Sequence, residues 1–359
     1  MKTYTYFLSN LAAHWKQWCE TLPKFSMVEC QFEFVQTATD AAGTRFTPTG
    51  QTPVAWLRER NREPWLYVNA AWPYANSVYG APGREPASNV YWFRQAQTDA
   101  IARNEWWLMG MDKAGKRTPV LGSFGYPCPD MTEHAYLIWL LDHLLEQAPR
   151  RLRFDVAMIH RHGYFRPWTV GETPEQGDRD QMEGTWWLYD ELRAAGVQVM
   201  ANGGWEMADP EGAPWQFPAL AHVDGVMVEW PNGFARWDSG RWWTLTEATL
   251  AGVAAAWRSA GKAVVLAAPY ETAGYKKSTS ASWEAHAQHW IAVARQLNVY
   301  LAMGRDDGDW SASSQTWWRP EYEDGQADDG PALPAVKTVE QILADHERRL
   351  LALEARDGT

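Results

Sequence analysis

Short apolar runs recur along the chain, each followed by a polar stretch and then by a pattern of helical period. The runs are 27–35, 65–70, 106–111, 152–159, 197–201, 225–229, 263–268 and 299–303. Most are too continuously apolar to be strands with one wet face, which points to parallel strands buried on both sides. Between them, apolar residues at three- and four-residue spacing predict helices over 53–62, 89–104, 132–148, 181–195, 213–221, 244–260 and 282–297, with a last one over 336–355. Eight strand–helix units predict an α/β fold, a (β/α)8 barrel formed as one domain by residues 1–359.

Punctuation along the chain supports these boundaries. Gly196 follows Leu-Arg-Ala-Ala and Gly261 follows Trp-Arg-Ser-Ala, each placed to stop a helix just before an apolar run. Residues 1–26 read as a helix and linker leading into the barrel, with Trp15, Trp18 and Leu22 on one face. The stretches after the strands are long: 111–131, 160–180, 202–212, 230–243 and an acidic loop at 304–335. Long loops at the carboxyl ends of the strands are where such a barrel carries function. The helix over 336–355 is expected to cap the barrel.

Composition narrows the function. A net charge of −11 argues against a nucleic-acid partner, which would need a basic stripe. Residues 1–22 lack the apolar core of a secretory leader, and no run of 18 apolar residues exists, so no membrane partner is expected. The reading leaves open whether the protein acts in the cytoplasm, on a phage particle, or as the mature part of an exported protein, and it leaves the oligomeric state open. Cys19, Cys30 and Cys128 have neither disulfide-framework nor zinc-finger spacing and read as small buried apolar residues. Asp306, Asp307, Asp309, Asp328 and Asp329 do not fit the spacing of a calcium loop. No metal and no cofactor is predicted.

One number changes the picture. Tryptophan occurs 24 times, beside 14 Tyr and 11 Phe. An indole is large and its N–H wants a partner, so a core holds few and many of these rings are expected at a surface or in a cleft. Sugar rings stack their C–H faces on indoles, so a poly- or oligosaccharide is the expected partner. Trp72, Trp168, Trp205 and Trp230 follow strand ends and are the candidate stacking platforms, with Trp310 beyond the last strand.

The strand ends also carry the candidate chemistry. The first run alternates, with Glu29, Gln31 and Glu33 on one side. Asp112 follows the third, His160, Arg161, His162, Tyr164, Arg166 and Trp168 follow the fourth, and Asn202 the fifth. Glu229 closes the sixth, Tyr270 and Glu271 follow the seventh, and Arg305 and Asp306 the eighth.

Val-Gln-Val-Met-Ala-Asn202-Gly-Gly, followed by Val-Asp224-Gly225-Val-Met-Val-Glu229, resembles glycoside hydrolases of the (β/α)8 type, the polygalactosaminidase-like and related bacterial families among them. Trp106-Trp-Leu-Met-Gly-Met-Asp112, Pro-Asp130 and Phe-Asp155 are similar to the same group; the resemblance covers roughly 105–305. It implies a catalytic pair with an Asp at the end of strand four and a Glu at the end of strand six. Glu229 matches the latter. Strand four departs, because His160 stands five residues after Asp155 where the pattern places an acid.

Hydrolysis of a glycosidic bond takes two carboxyl groups, one protonated toward the leaving oxygen and one ionised as base or nucleophile. Glu229, next to Trp230, is the candidate acid. Asp112, Glu271 and Glu33 are the candidate partners, ranked above Asp155, which is expected too near the start of its strand. Asn202, His160, Arg161, Tyr164, Tyr270, Arg305 and Asp306 are candidate sugar-binding residues. Two further readings remain at this level. His160 and His162 at i and i+2 suit a metal-dependent hydrolase or deacetylase, and loss of the second acid suits a barrel that binds sugar without cleaving it.

Overall fold

A computed structural model describes residues 2–7, 26–30, 53–68, 106, 108–111, 115–119, 129–146, 148–154, 174–202, 219–229, 236–238, 241–243, 247–270, 280–305, 341, 344 and 348. Eight strands form one sheet in the order β1 (Tyr4–Phe7), β2 (Met27–Cys30), β3 (Trp65–Val68), β6 (Arg151–Phe154), β7 (Gln198–Asn202), β8 (Gly225–Glu229), β11 (Ala263–Tyr270) and β12 (Tyr300–Arg305). Every neighbouring pair is parallel. The first and last strands also meet: Thr3 bridges Leu301 in the parallel sense, and the Leu301 N–H donates to the Lys2 carbonyl at 3.1 Å.

Six helices are described: α1 (Pro53–Arg58), α2 (His134–Glu146), α3 (Pro174–Ala194), α4 (Ala219–His222), α5 (Glu247–Ser259) and α6 (Ser280–Leu297). Residues 341, 344 and 348 are helical as well, within the expected 336–355. The helices bury one stripe each. In α6 it is Ala287, Trp290, Ile291 and Ala294, and in α5 it is Leu250, Ala254 and Trp257, both at i, i+3, i+4 or i+7 spacing. These residues pack against Leu152, Phe154, Val199, Val226, Val228, Leu266 and Leu301, the outward positions of the strands.

The alternate strand positions form a second cluster on the other face of the sheet. Tyr4, Met27, Trp65, Met200, Met227, Val265 and Tyr300 all belong to it, at 5% exposure or less. Sheet residues alternate between the two clusters, as a parallel sheet covered on both faces requires.

Helix ends explain how tightly each helix returns to the sheet. Gly196 (φ 89°) and Gly261 (φ 73°) take the left-handed backbone expected of them. At Gly261 the N–H donates to Arg258 O and the Lys262 N–H to Trp257 O, closing the last turn with paired reverse bonds. Asn61 (φ 56°) and Asn298 (φ 52°) close α1 and α6 with the same two bonds. Asn is the side chain that most readily follows glycine into this region.

Two expectations are corrected. Residues 4–7 are a strand and do not begin a helix. Tyr-Thr-Tyr-Phe is β-favouring throughout, and Thr3 and Ser26 lock it to β2 by exchanging backbone-to-hydroxyl bonds at 3.1 and 3.0 Å. Trp15, Trp18 and Leu22 lie outside the described residues. Residues 106–111 contribute no strand to the main sheet. Met109–Met111 (β4) pairs antiparallel with Arg117–Pro119 (β5), with Gly115 at φ 77° between them, while Trp106 is buried against Tyr136 and Trp139 of α2. A three-residue pairing with a glycine turn satisfies this backbone locally, so the run has no need of the large sheet. A second antiparallel pair, β9 (Arg236–Asp238) with β10 (Arg241–Trp243), stands between β8 and α5. The expected helix over 89–104 and the loop beyond Arg305 lie outside the described residues.

Candidate functional site

Four of the residues singled out in the sequence fall at the carboxyl ends of four consecutive strands. Asn202 ends β7 and pairs with Met227. Glu229 ends β8 and pairs with Ala267. Tyr270 and Arg305 end β11 and β12 and pair with each other. By position along the strands, Asn202 is two residues beyond Met200 and Glu229 two beyond Met227, both of the second cluster, whereas Tyr270 and Arg305 are each four residues beyond Leu266 and Leu301 of the helix-side core. Asp112, Glu271, Glu33, Trp72, Trp205, Trp230, His160, Arg161, Tyr164, Trp168 and Asp306 lie outside the described residues, as do His162, Arg166 and Trp310.

β6 starts at Arg151, and Asp155, after its last described residue, lies outside the described residues.

The face of the second cluster also carries a feature that the sequence reading passed over. In Arg151-Leu-Arg153-Phe, the two arginines alternate with two core residues, and both are 3% exposed. Arg151 donates Nε to Gln198 Oε1 at 2.9 Å and Nη1 to the Glu63 carbonyl at 3.1 Å, and its guanidinium lies 5.6 Å from the Trp65 ring. Arg153 stands one inward position nearer the carboxyl ends, its guanidinium 4.8 Å from the centre of the Tyr67 ring. A buried guanidinium loses its hydration, and stacking on an aromatic face returns part of that loss. The visible signal was the i, i+2 spacing of two cations in a strand whose alternate residues are Leu and Phe.

The opposite end of the sheet carries a different set of charges. Asp224, just before β8, accepts from Arg193 Nε at 3.2 Å and from the Val199 N–H at 3.0 Å, with Lys262 Nζ at 3.9 Å. Burial lowers the Lys262 pKa below the ordinary lysine value; Arg193 adds to the shift and Asp224 opposes it. Tyr189, fully enclosed in the helix-side core, has its phenol pushed up by burial. Asp224, just before β8, and Glu229, at its end, stand five residues apart, about 16 Å at roughly 3.3 Å per residue. Asp224 therefore binds elements together at the amino end and takes no part at the carboxyl end.

No protein-family model matches the chain, and no curated protein matches it. Among solved structures it is similar to a GH36 α-galactosidase from Geobacillus stearothermophilus in complex with raffinose, at 9% identity and TM-score 0.45 over 92% of this chain and 41% of that one. It is similar to the α-galactosidase of Lactobacillus brevis at 12% identity and TM-score 0.44, over 92% and 39%. It is also similar to a chitinase of Rhizomucor miehei at 11% identity and TM-score 0.40, over 88% and 99%. The chain spans about two-fifths of the length of the two α-galactosidases. Among the described residues, no helix is long and apolar enough to cross a membrane, and no group of three or more His, Cys, Asp or Glu is placed to hold a metal ion.

Proposed function

We propose that the eight parallel strands close into a (β/α)8 barrel whose carboxyl-end mouth hydrolyses a glycosidic bond in a poly- or oligosaccharide. Closure is supported by the Thr3–Leu301 bridge. Register supports it as well. Carried from strand to strand and across that bridge, the pairings return to β1 displaced by eight residues, the stagger of an eight-stranded barrel.

The observation that supports the functional reading is that Glu229 and Asn202 close adjacent strands, two positions beyond Met227 and Met200 of a buried cluster. In this fold, reacting groups stand at those ends. Glu229 is the general acid, at the carboxyl end of β8. Asn202 donates to a sugar hydroxyl or orients Glu229. The ionised partner comes from Asp112, Glu271 or Glu33, ranked above Asp155. Trp72, Trp168, Trp205 and Trp230 form the stacking platforms, and His160, Arg161, Tyr164, Tyr270, Arg305 and Asp306 contribute polar contacts. The mechanism calls for no cofactor: one carboxyl protonates the leaving oxygen and the other acts as base or nucleophile.

The test is release of reducing ends from a panel of polysaccharides and amino-sugar oligomers by the wild type and Glu229→Gln, each with and without chelator. Release that is lost in Glu229→Gln and indifferent to chelator is expected. Release abolished by chelator would replace this reading with metal-dependent hydrolysis through His160 and His162. Binding without release in either form would replace it with a sugar-binding barrel.

A further inference from the structure

Lys262 is firmly placed and weakly paired. Its own N–H donates to the Trp257 carbonyl at 3.0 Å, and the N–H of Ala263 donates to the Asp224 carbonyl at 2.9 Å, so the backbone is pinned on both sides. The side chain is 16% exposed, and Nζ lies 3.9 Å from Asp224 Oδ1, beyond hydrogen-bond reach. That carboxylate is already engaged by closer donors. Its two oxygens accept from Arg193 Nε at 3.2 and 3.3 Å, and Oδ2 also takes the Val199 N–H at 3.0 Å.

The neighbouring charges do not make up for it. Asp190, the next acid of this cluster, is held by His222 Nδ1 at 2.8 Å and lies 3.8 Å from Arg193 Nη1. Arg193 and Lys262 therefore compete for Asp224, and the guanidinium has the closer place. Of two cations at one carboxylate, the lysine is the one able to give up its proton. Burial, with Arg193 beside it and Asp224 opposing, lowers the Lys262 pKa, so more of its amine is neutral and nucleophilic near neutral pH than in an exposed lysine. A reagent can approach from the turn between α5 and β11, where Ser259, Ala260 and Gly261 are exposed and the space beside Gly261 is open.

We propose that Lys262 is a site of lysine acylation, its amine taking an acyl group from a small activated donor, an acyl phosphate or a thioester. Nζ attacks the acyl carbon. The C–N bond of the amide forms as the C–O bond to phosphate or the C–S bond to thiol breaks; phosphate or thiolate leaves, and the amine gives a proton to water. The fold accommodates the product, because the bonds that Asp224 accepts from Arg193 and Val199 do not involve Lys262. The amide also replaces a partly dehydrated ammonium by a neutral group. This site stands at the amino-terminal end of the sheet and does not depend on the reaction proposed for the other end.

The experiment incubates the folded protein with acetyl phosphate and, separately, with acetyl-coenzyme A at neutral pH, and reads acetylation of each lysine over time by peptide mass spectrometry. Lys262 is expected to gain acetyl severalfold faster than the exposed Lys116 with at least one donor, and the donor that works identifies the source. In urea, where the cluster is gone, the excess is expected to disappear. Arg193→Gln, which frees Asp224 to pair with Lys262, is expected to shrink the excess, and Asp224→Asn, which removes the opposing charge, to enlarge it. Should Arg193→Gln fail to fold, Asp224→Asn, which keeps an acceptor for Val199, supplies the comparison. Lys262 reacting no faster than Lys116 with both donors overturns the proposal. So does an excess that persists in urea, which would place its cause in local sequence, or one that neither substitution moves.

Discussion

Asp224 Oδ1 lies 3.2 Å from Arg193 Nε, and Oδ2 of the same carboxylate accepts the Val199 N–H at 3.0 Å. One side chain thus ties the end of α3, the start of β7 and the start of β8 at the amino-terminal end of the sheet. Arg193 extends the tie by donating Nη1 to the Ala221 carbonyl of α4 at 2.7 Å. Removing the carboxylate takes the acceptor from a backbone donor and from Nε of a partly buried guanidinium, and each such loss is of order 1 kcal/mol. Asp224→Ala is expected to lower unfolding free energy by about 2 kcal/mol in urea titration. Asp224→Asn, which keeps an acceptor, is expected to lower it by about half as much.

Lys262 faces the same carboxylate and yields a pH dependence of known sign. Its folded pKa is lowered, chiefly by burial and then by Arg193. Below that lowered value the folded state bears the cost of a charged, partly dehydrated ammonium. Between it and the unfolded value near 10.5 the unfolded chain holds more protons, so stability rises with pH. The difference in unfolding free energy between wild type and Lys262→Met is therefore expected to shift in favour of wild type as pH is raised toward 10.5. Denaturant titrations at several alkaline pH values measure it, and a difference that stays flat or falls contradicts the assignment.

The helix ends set up a pair of opposed substitutions. Gly261 is at φ 73° with open space where a Cβ would stand, so Gly261→Ala carries only the backbone cost of the left-handed region. That cost is about 1 kcal/mol. Ala148 already occupies such a backbone, at φ 45°, with its N–H donating to Leu145 O at 2.9 Å. Ala148→Gly is expected to raise stability by about 0.5 to 1 kcal/mol. Thermal melts of the two variants should move in opposite directions.

Two glycines inside helices answer differently to the same change. A Cβ at Gly184 of α3 would stand 1.7 Å from the Met131 carbonyl oxygen. That segment cannot simply move away, because the Met131 N–H is held by Gln181 Oε1 at 2.8 Å and Gln181 Nε2 holds Asp130 Oδ1 at 2.6 Å. Gly184→Ala is expected to destabilise by about 3 kcal/mol. At Gly252 of α5 nothing lies within 4 Å, and Gly252→Ala is expected to stabilise by about 0.5 to 1 kcal/mol. Their chemical denaturation midpoints, measured side by side, separate close packing from helix propensity.

Seven of the eight strands of the sheet were legible because their apolar runs are long and their helices end on recognisable stops at Gly196 and Gly261. The run at 106–111 has the same local signature and a different fate, since nothing in its composition tells a strand of the large sheet from one that pairs locally. Tyr4–Phe7 went unread because four aromatic or β-branched residues do not announce a strand until Thr3 and Ser26 are seen to bind each other across 23 positions. Level around the sheet was illegible for a related reason. Which inward residues share a layer depends on the register between strands, and no local pattern encodes it.

The two ends of β8 make the strictest comparison for the proposed chemistry. Asp224 and Glu229 are both carboxylic acids, one just before the strand and one at its end, separated by about 16 Å, and a change at either can destabilise the protein. Only Glu229 stands at the end where the proposed reaction takes place. Glu229→Gln is nearly isosteric and cannot deliver a proton to a leaving oxygen, so kcat is expected to fall by about 10²- to 10⁴-fold with KM little changed. Asp224→Asn, assayed at a temperature where both variants are folded, is expected to keep kcat within about twofold of wild type. Steady-state kinetics on the best substrate of the glycan panel decides it. Equal losses at the two positions would mean that stability and not chemistry is being measured, and would remove Glu229 from the proposed role.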